Sequence, residues 1–316
     1  MKILRLGDKY IQHVLKLVSH RDYRFSKETC VVTGTKLVRD LGKRYRFKEI
    51  ICSRPSHPDL ATLNFDELHV TEPRILRKIA ELEEFDGLIG TLTLPARRSI
   101  KEITHPRLLL CLDYIEDLGL MGTLLRTAVS FQWQAVFFLP NCADPFSSRC
   151  IRASQGALFN IPHCKGNMED LQKLCRRGQL TLSVPHPAGV DVSSDAYEPP
   201  KGQALLLREE YTTPWAPPRE ALKIKVPDPW RGHPKGTPDG EEFDFRALDV
   251  AVQGGILMHH IKHTHFAEVS RTPFLASRQG RVFWAIFLTF GLCAADDRAW
   301  TSAKSACSGC LWFPVN

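Results

Sequence analysis

The stretch LLLCLDYIEDLGLMGTLLRTAVSFQWQAVFFLP (108–140) decides the fold of the larger part of the chain. It opens and closes with continuous apolar runs, at 108–115 and 134–140, which are typical of short strands buried on both faces. Between them, the pattern predicts an apolar helix at 121–133. A strand, a helix and a second strand in this order indicate a parallel β-α-β unit.

The same alternation extends to both sides of this unit. Downstream, the apolar pattern predicts helices at 150–159 and 248–263 and strands at 179–185, 203–208 and 222–226, with a Pro- and Gly-rich loop at 227–245. Upstream, shorter elements alternate in the same way, with helices at 10–18, 35–41 and 73–82 and strands at 29–34, 48–53 and near 86–95.

These elements divide the chain into three parts. We predict a small α/β domain at 1–96, a larger α/β domain with a parallel sheet at 106–265 and an irregular C-terminal tail at 266–316. A short basic linker joins the first two parts.

Positive charge is concentrated at the front of the chain. Residues 1–54 contain 14 Lys and Arg against 5 Asp and Glu, a local excess of +9 in a chain whose net charge is +7. Tyrosine and phenylalanine side chains are interleaved with these cations, an arrangement that suits phosphate contacts and base stacking on RNA. The candidate RNA contacts are Lys43, Arg44, Arg46 and Lys48. A solvated basic surface is the alternative reading of the same charges.

Composition also narrows the class of protein. The longest apolar run, 282–295, is 14 residues long and too short to cross a bilayer, so we expect no membrane association. The 10 cysteines form neither a disulfide framework nor a metal-ligand spacing, which favours an intracellular compartment, either the cytoplasm or an organelle. His259 and His263 have the spacing of metal ligands on a helix but no third ligand, and we expect no metal.

Arg126 is the single charged residue of the predicted helix 121–133. A lone guanidinium in apolar surroundings costs several kcal/mol unless it is paired. Arg126 therefore either forms a salt bridge, with Glu116, Asp117 or Glu210 as candidate partners, or points at an anionic ligand.

Three stretches together carry a family resemblance: IEDLGLMGTLLRTA (115–128), DPFSSRCIRASQGALFNIP (144–162) and LDVAVQGGILMHHI (248–261). In content and order they resemble the motifs of the SpoU, or TrmH-type, RNA 2′-O-ribose methyltransferases of the SPOUT class. The front domain resembles the ribosomal-protein-like substrate-binding domain that often precedes them. The resemblance implies a SPOUT trefoil-knotted parallel-sheet domain preceded by a small α/β RNA-binding domain. It also implies S-adenosylmethionine as cofactor, rRNA or tRNA as substrate and a homodimer with the active site at the subunit interface.

The resemblance further assigns site residues. Arg126 falls on the arginine of the first motif, where it is expected to orient a phosphate and stabilise the ribose alkoxide, because a guanidinium is a weak base. Glu210 and Asp249 are the other candidate catalytic residues, and Arg152 is a candidate RNA contact. Backbone contacts to the cofactor fall at Leu207, Arg208, Val226 and Leu248.

The chain departs from the family pattern at the expected site. Leu120 stands where the first motif has asparagine, Ala247 stands where the last has serine, and REEYTT (208–213) replaces the glycine-rich G-x-E-G-x-G loop. Side chains forced into a glycine conformation would weaken cofactor binding by on the order of a hundredfold. Two hypotheses follow: an active RNA methyltransferase, or a degraded relative that binds RNA without methylating it. A nucleotide-binding enzyme of another kind is disfavoured because no G-x-G-x-x-G follows any strand.

Overall fold

The computed structural model describes residues 3–85, 87–103, 105–209, 216–226 and 248–269. Within these ranges, no helix combines the length and the apolar character that crossing a membrane requires. The predicted loop at 227–245 and nearly all of the predicted tail, from residue 270 onward, lie outside the described residues.

The front of the chain forms a mixed five-stranded sheet with strand order β1-β4-β3-β5-β2. β3 pairs parallel with β4, whereas β5 runs antiparallel to both β3 and β2. Its elements are β1 (Ile3–Leu4), α1 (Lys9–Ser19), α2 (Arg21–Ser26), β2 (Thr29–Thr33), α3 (Thr35–Gly42), β3 (Phe47–Cys52), β4 (Phe65–Thr71), α4 (Pro73–Ala80) and β5 (Ile89–Thr93).

The second part forms a six-stranded sheet in which every pair is parallel, with strand order β11-β9-β10-β6-β7-β8. Its elements are β6 (Leu108–Asp113), α5 (Leu118–Ser130), β7 (Ala135–Phe138), α6 (Ser148–Ala153), β8 (His163–Lys165), α7 (Met168–Gly178), β9 (Thr181–Asp191), β10 (Gln203–Arg208), β11 (Leu222–Lys225) and α8 (Val250–His260). All residues of β6 are buried, as the apolar run predicted for a strand covered on both faces. The α/β class and the parallel sheet are therefore confirmed.

Several boundaries differ from the predicted ones for local reasons. The helix predicted at 121–133 begins at Leu118 because the Asp117 carboxylate accepts a hydrogen bond from the backbone N–H of Leu120 and caps it there. The helix predicted at 150–159 ends at Ala153, since Gln155 and Gly156 adopt left-handed backbone angles that interrupt it.

Five elements were not predicted: β1, α2, β4, β8 and α7. β1 and β8 are only two and three residues long, and β4 is polar along most of its length. α7, by contrast, carried a readable signal. Asn167 and Asp170 form a reciprocal capping box, and Leu171, Leu174 and Cys175 are buried at helical spacing.

The predicted domain boundary at 265 stays a prediction. Phe266 and Val269, just after it, are buried in the core cluster that contains residues of both sheets, and the Arg107 guanidinium lies 5.1 Å from the Phe266 ring. The packed region therefore continues to the last described residue.

A buried ion pair joins the two sheets. Arg24, in α2, donates hydrogen bonds from Nε and Nη2 to the Asp144 carboxylate at 2.8 and 2.6 Å, and both side chains are nearly fully buried, with 4% and 7% of their surface exposed. The same guanidinium donates to the carbonyl oxygens of Leu17 and Val18 at the end of α1. Because these partners satisfy the charge and most of its donors, the pair fixes α1 and α2 to the loop that precedes α6.

We predict that Arg24→Met lowers the free energy of unfolding by about 3–5 kcal/mol, because the Asp144 carboxylate would stay buried without its cation. Urea denaturation measures this change. Arg24→Met combined with Asp144→Asn should recover part of the loss, and Arg46→Met, which removes an exposed pair with Asp66, should cost less than about 1 kcal/mol. An Arg24→Met variant as stable as the unmodified chain would contradict this role.

Candidate active site

The strand order identifies where this sheet can bind a ligand. From β6 the chain moves outward through β7 and β8, whereas β10 is followed by β11 on the opposite side of the sheet. β6 and β10 are neighbours, paired in parallel over their full length. In open α/β sheets, ligands bind at the carboxyl ends of the strands that flank such a reversal. The candidate site therefore lies beyond Asp113 and Arg208, the last residues of these two strands.

A second buried ion pair closes the ends of these strands. Arg208 and Asp113 are register partners, and Arg208 Nη1 donates to Asp113 Oδ2 at 2.6 Å with 8% and 6% of the side chains exposed. The guanidinium lies 4.0 Å from the centre of the Tyr114 ring. Tyr114 itself has a positive φ of 50°. Such angles are costly for a residue other than glycine and cluster at functional sites.

Arg208 does not carry the backbone strain that was expected from the altered glycine-rich stretch at 208–213. It occupies the position of that stretch's first glycine, but it lies in β10 and is not among the residues with positive φ. The strain expected from placing a side chain in a glycine conformation therefore does not arise at this position. The remaining altered positions, 210–213, lie outside the described residues.

The helix α5 carries acidic groups at its start and Arg126 farther along. The Glu209 carboxylate accepts a hydrogen bond from the backbone N–H of Glu116 at 3.1 Å, which joins the segment before α5 to the end of β10. Arg126 is exposed and makes no hydrogen bond or ion pair with any residue that the structure describes. The expectation that Arg126 lies in apolar surroundings was wrong, because the apolar side chains of α5 line the opposite face of the helix.

Salt bridges from Arg126 to Glu116 or Asp117 are accordingly not formed. The third candidate partner, Glu210, lies outside the described residues, and so does its predicted catalytic role.

The helix α8 brings the last motif against the same two elements. A Cβ atom at Gly254 would lie 2.5 Å from Leu207 Cδ1 and 3.0 Å from Leu124 Cδ2, so a larger residue there would require the Leu207 side chain to move, and glycine lets α8 pack closely on β10 and α5. Asp249 caps α8 by accepting a hydrogen bond from the backbone N–H of Ala251 at 2.8 Å. The predicted catalytic role of Asp249 stays a prediction, and the observed role of its side chain is this cap.

The residues predicted to hold the cofactor fall into two groups. Leu207, Arg208 and Val226 lie at or just after the ends of β10 and β11, and the ends of parallel strands share one edge of the sheet. Leu248 is exposed and directly precedes the cap of α8. Their contacts to a cofactor stay predictions.

The predicted RNA contacts are all engaged within the chain. Lys43 pairs with Asp40, Arg46 pairs with Asp66, Arg44 donates to Asn160 Oδ1 and Lys48 donates to Thr29 Oγ1. Exposed pairs such as the first two are weak and can exchange partners, so a role in RNA binding stays a prediction.

Arg152 lies between the two sheets. It donates to Thr33 Oγ1 at 2.9 Å and to the carbonyl oxygen of Ala80 at 3.0 Å. This half-buried side chain thus joins α6 to β2 and α4, and its predicted contact with RNA stays a prediction.

The rings of His259 and His263 contact each other at a tilt of 39°, with centres 4.5 Å apart, and both lie edge-on to Phe131. Within the described ranges, no group of three metal-binding side chains occurs.

Sequence reasoning missed the pairing of Asp113 with Arg208. A signal was present, since each residue is the charged end of an otherwise apolar strand, LLLCLD and QALLLR. Two opposite charges that end neighbouring parallel strands at the same register are natural partners. Strand order had to be known before this inference could be drawn.

Comparisons with known proteins agree with this architecture. Residues 107–214 match the SpoU rRNA Methylase family. A tRNA/rRNA methyltransferase of Synechocystis sp., itself described as uncharacterized, is 28% identical over 174 residues, which cover 50% of this chain and 63% of that protein. Human mitochondrial rRNA methyltransferase 3 is 26% identical over 168 residues, which cover 49% of this chain and 39% of that protein.

The fold is also similar to a solved structure. The S-adenosylmethionine-bound rRNA methyltransferase of Sinorhizobium meliloti superposes with a TM-score of 0.67 over 83% of this chain and 97% of that one, at 21% identity. The chain thus has the α/β fold, with a parallel sheet, of that solved structure. The match of residues 107–214 to the SpoU rRNA Methylase family agrees with the resemblance that the sequence motifs carry.

We predict that Arg208→Met destabilises the protein by about 3–5 kcal/mol, because the buried Asp113 carboxylate would lose its cation. Urea denaturation tests this, with Asp113→Asn/Arg208→Met as the variant that should restore part of the stability. Arg208→Gly, which would restore the family's glycine, should be destabilising for the same reason. A stable Arg208→Gly variant would show that the pair does not hold the strand ends.

Proposed function

We propose that this chain is an RNA 2′-O-ribose methyltransferase that uses S-adenosylmethionine and acts on rRNA or tRNA. The observation that carries the proposal is Arg126, whose exposed side chain has no partner among the described residues and which lies in α5, the helix that follows the switch-point strand β6. The family match over 107–214 and relatives described as tRNA/rRNA and rRNA methyltransferases support it.

The described part of the site suits S-adenosylmethionine. The buried positive charge of Arg208 is neutralised by Asp113, so it does not repel a sulfonium. Glu116, Asp117 and Glu209 add negative charge near the same strand ends, which favours a cation. The exposed side chain of Leu248 offers an apolar surface for a purine ring, and the backbone at Leu207 and Val226 offers hydrogen-bonding groups.

When bound, the cofactor supplies a methyl group that is already activated by its sulfonium. The ribose 2′-hydroxyl is a poor nucleophile until its proton leaves or its alkoxide is stabilised. Arg126 carries a permanent positive charge that no described carboxylate neutralises, so it is placed to orient a phosphate of the target nucleotide and to stabilise negative charge on the 2′-oxygen.

A homodimer is part of the proposal. Leu248, Val252 and Ile256 form an apolar stripe at helical spacing along α8, with 44%, 50% and 40% of their surface exposed. The stripe lies on the helix that packs against α5, which carries Arg126. We propose that a second copy of this chain covers the stripe. Two copies related by a two-fold axis would bury each other's stripe in a single interface. Arg126 would then lie beside the subunit interface.

The trefoil knot also belongs to the proposal. β11 is the edge strand of its sheet, yet α8, which follows it in the chain, packs on β10 and α5 in the middle of the sheet. A return from the edge to the middle supports the knotted path of the family. The front domain would bind RNA through Lys43, Arg44, Arg46 and Lys48, in the cytoplasm or in an organelle such as the mitochondrion named for the human relative.

A chain that binds RNA without methylating it is the alternative. Calorimetric titration with S-adenosylmethionine separates the two, because the methyltransferase must bind the cofactor. Absence of both cofactor binding and methyl transfer, with RNA binding retained, would favour the alternative.

We predict that Arg126→Ala lowers methyl transfer to a structured rRNA or tRNA transcript by about a hundredfold or more while leaving stability nearly unchanged. The exposed side chain has no described partner to lose, so the thermal melt should stay within about 2 °C. Radiolabelled methyl incorporation measures the activity. Ser130→Ala, an exposed change one turn farther along α5, is the matched control and should keep full activity. Full activity of Arg126→Ala would contradict the proposed role.

We further predict that Val252→Asp/Ile256→Asp converts the dimer into a monomer, because two carboxylates would replace the apolar stripe in the interface. Light scattering after size exclusion measures the mass. Leu82→Asp, at an exposed leucine just after α4, is the control and should leave the dimer intact. An unmodified chain that is monomeric at tens of micromolar would overturn this part of the proposal.

A further inference from the structure

A small, solvent-open cleft lies between α2 and the ends of β7 and β8. Its walls include two aromatic rings, a histidine and three cations: Phe25, Phe146, His163, Arg21, Arg97 and Lys165. None of these belongs to the active site proposed above. The cleft therefore requires its own explanation.

The side chains of the three cations, Arg21, Arg97 and Lys165, make no hydrogen bond or ion pair with any residue in the described ranges. The neighbouring Asp144 carboxylate is already bound by Arg24. Burial, together with the charges of Arg21 and Arg97, lowers the pKa of Lys165. The cations thus repel one another, and an anion between them would relieve that repulsion.

The ring of Phe25 holds two of these cations in place. The guanidinium carbons of Arg21 and Arg97 lie 5.8 and 5.1 Å from its centre, within the range of cation–π attraction. Phe25 is in turn packed edge-on against Phe146, with ring centres 6.2 Å apart. The two guanidinium groups are therefore positioned by an aromatic ring, which leaves their hydrogen-bond donors available to a ligand.

His163 adds a buried hydrogen-bond acceptor to the cleft wall. Its Nδ1 lies 3.3 Å from the carbonyl oxygen of Ile161 and can only donate to it, and burial lowers the pKa of the imidazole to about 4. The ring is neutral near pH 7, so Nε2 is an acceptor. Nε2 is buried and has no hydrogen-bond partner in the described part of the chain. A ligand with an O–H or N–H group would satisfy it, whereas a bare anion would not.

The cleft shares a loop with the proposed active site. The segment 139–143 lines the cleft and is bonded on its other side to the end of β6, because Leu139 donates to Leu112 and Ala143 donates to Ile115, both at 2.9 Å. Arg98 donates its backbone N–H to the carbonyl oxygen of His163 at 3.0 Å, which fixes the linker and its neighbour Arg97 to β8. The cleft and the active site thus lie at the same, carboxyl edge of the parallel sheet.

We propose that this cleft binds the backbone of single-stranded RNA that flanks the methylated nucleotide. Arg21, Arg97 and Lys165 bind its phosphates, and His163 accepts a hydrogen bond from a ribose hydroxyl or a base. Phe25 is a positioning residue that holds the two guanidinium groups. The identity of the ligand as RNA rests on the proposed function, whereas the anion-binding character rests on the cleft alone.

Fluorescence anisotropy with a labelled 12-nucleotide single-stranded RNA tests the proposal. Replacing Arg21, Arg97 and Lys165 together by Gln should weaken binding by about tenfold or more and reduce the salt dependence of log K by about two units, since each phosphate contact to a single strand contributes about 0.7. The matched control replaces Lys36, Arg176 and Lys201, three exposed cations outside the cleft, by Gln. It should leave both the affinity and the salt slope nearly unchanged.

The variant Phe25→Leu tests whether Phe25 positions the guanidinium groups, because it removes the aromatic ring without removing any charge. All cations remain, so the affinity should fall about fivefold while the salt slope is retained. A slope reduced as far as in the triple variant would contradict the positioning role. In competition, adenosine monophosphate should displace the RNA at lower concentration than inorganic phosphate. Equal competition by the two would overturn the nucleotide assignment in favour of a simple anion site.

The outcomes distinguish this inference from the proposed function. If the unmodified chain methylates RNA but the triple variant binds the 12-mer with the same affinity and slope as the control, the cleft inference fails and the methyltransferase proposal stands. If the triple variant loses binding but no methyl transfer occurs with the unmodified chain, the cleft inference stands and the methyltransferase proposal fails. No RNA binding by the unmodified chain would overturn the cleft inference.

Discussion

The ion pair between Arg208 and Asp113 is the interaction on which the candidate site depends. It joins the ends of two neighbouring parallel strands, at the point where the chain's direction across the sheet reverses. Tyr114 packs on the guanidinium, and the Glu209 carboxylate binds the backbone ahead of α5. The pair and the adjacent Glu209 bond therefore hold the segment that leads into α5, the helix that carries Arg126. Since both charges are buried, neither can be altered alone without cost.

This pair explains one departure from the family pattern, the arginine that replaces glycine at position 208. Where relatives with the family pattern have a flexible glycine, this chain has a strand residue whose charge is matched by its register partner. The substitution is thus compensated within the structure at this position. Its effect is to tie the end of β10 to the end of β6.

The class of fold could be predicted because strong local signals agreed with each other. The apolar run at 108–115 allowed one interpretation, a strand covered on both faces, and β6 has that burial. Shorter or more polar elements such as β4 and β8 gave no comparable signal, since their stability comes from neighbours distant in sequence. The exposure of Arg126 was misjudged for a related reason. Apolar neighbours in sequence do not imply apolar neighbours in space, because successive residues of a helix face different sides.

The missing β-carbon of Gly254 has a consequence for how the chain acquires its structure. The surface on which α8 docks includes Leu207, from β10, and Leu124, from α5, which lie more than forty and more than a hundred positions earlier in the chain than Gly254. α8 cannot gain these contacts until both elements are already in place. Its docking is therefore a late step of folding that closes a long loop, and interactions formed so late slow unfolding more than they speed folding.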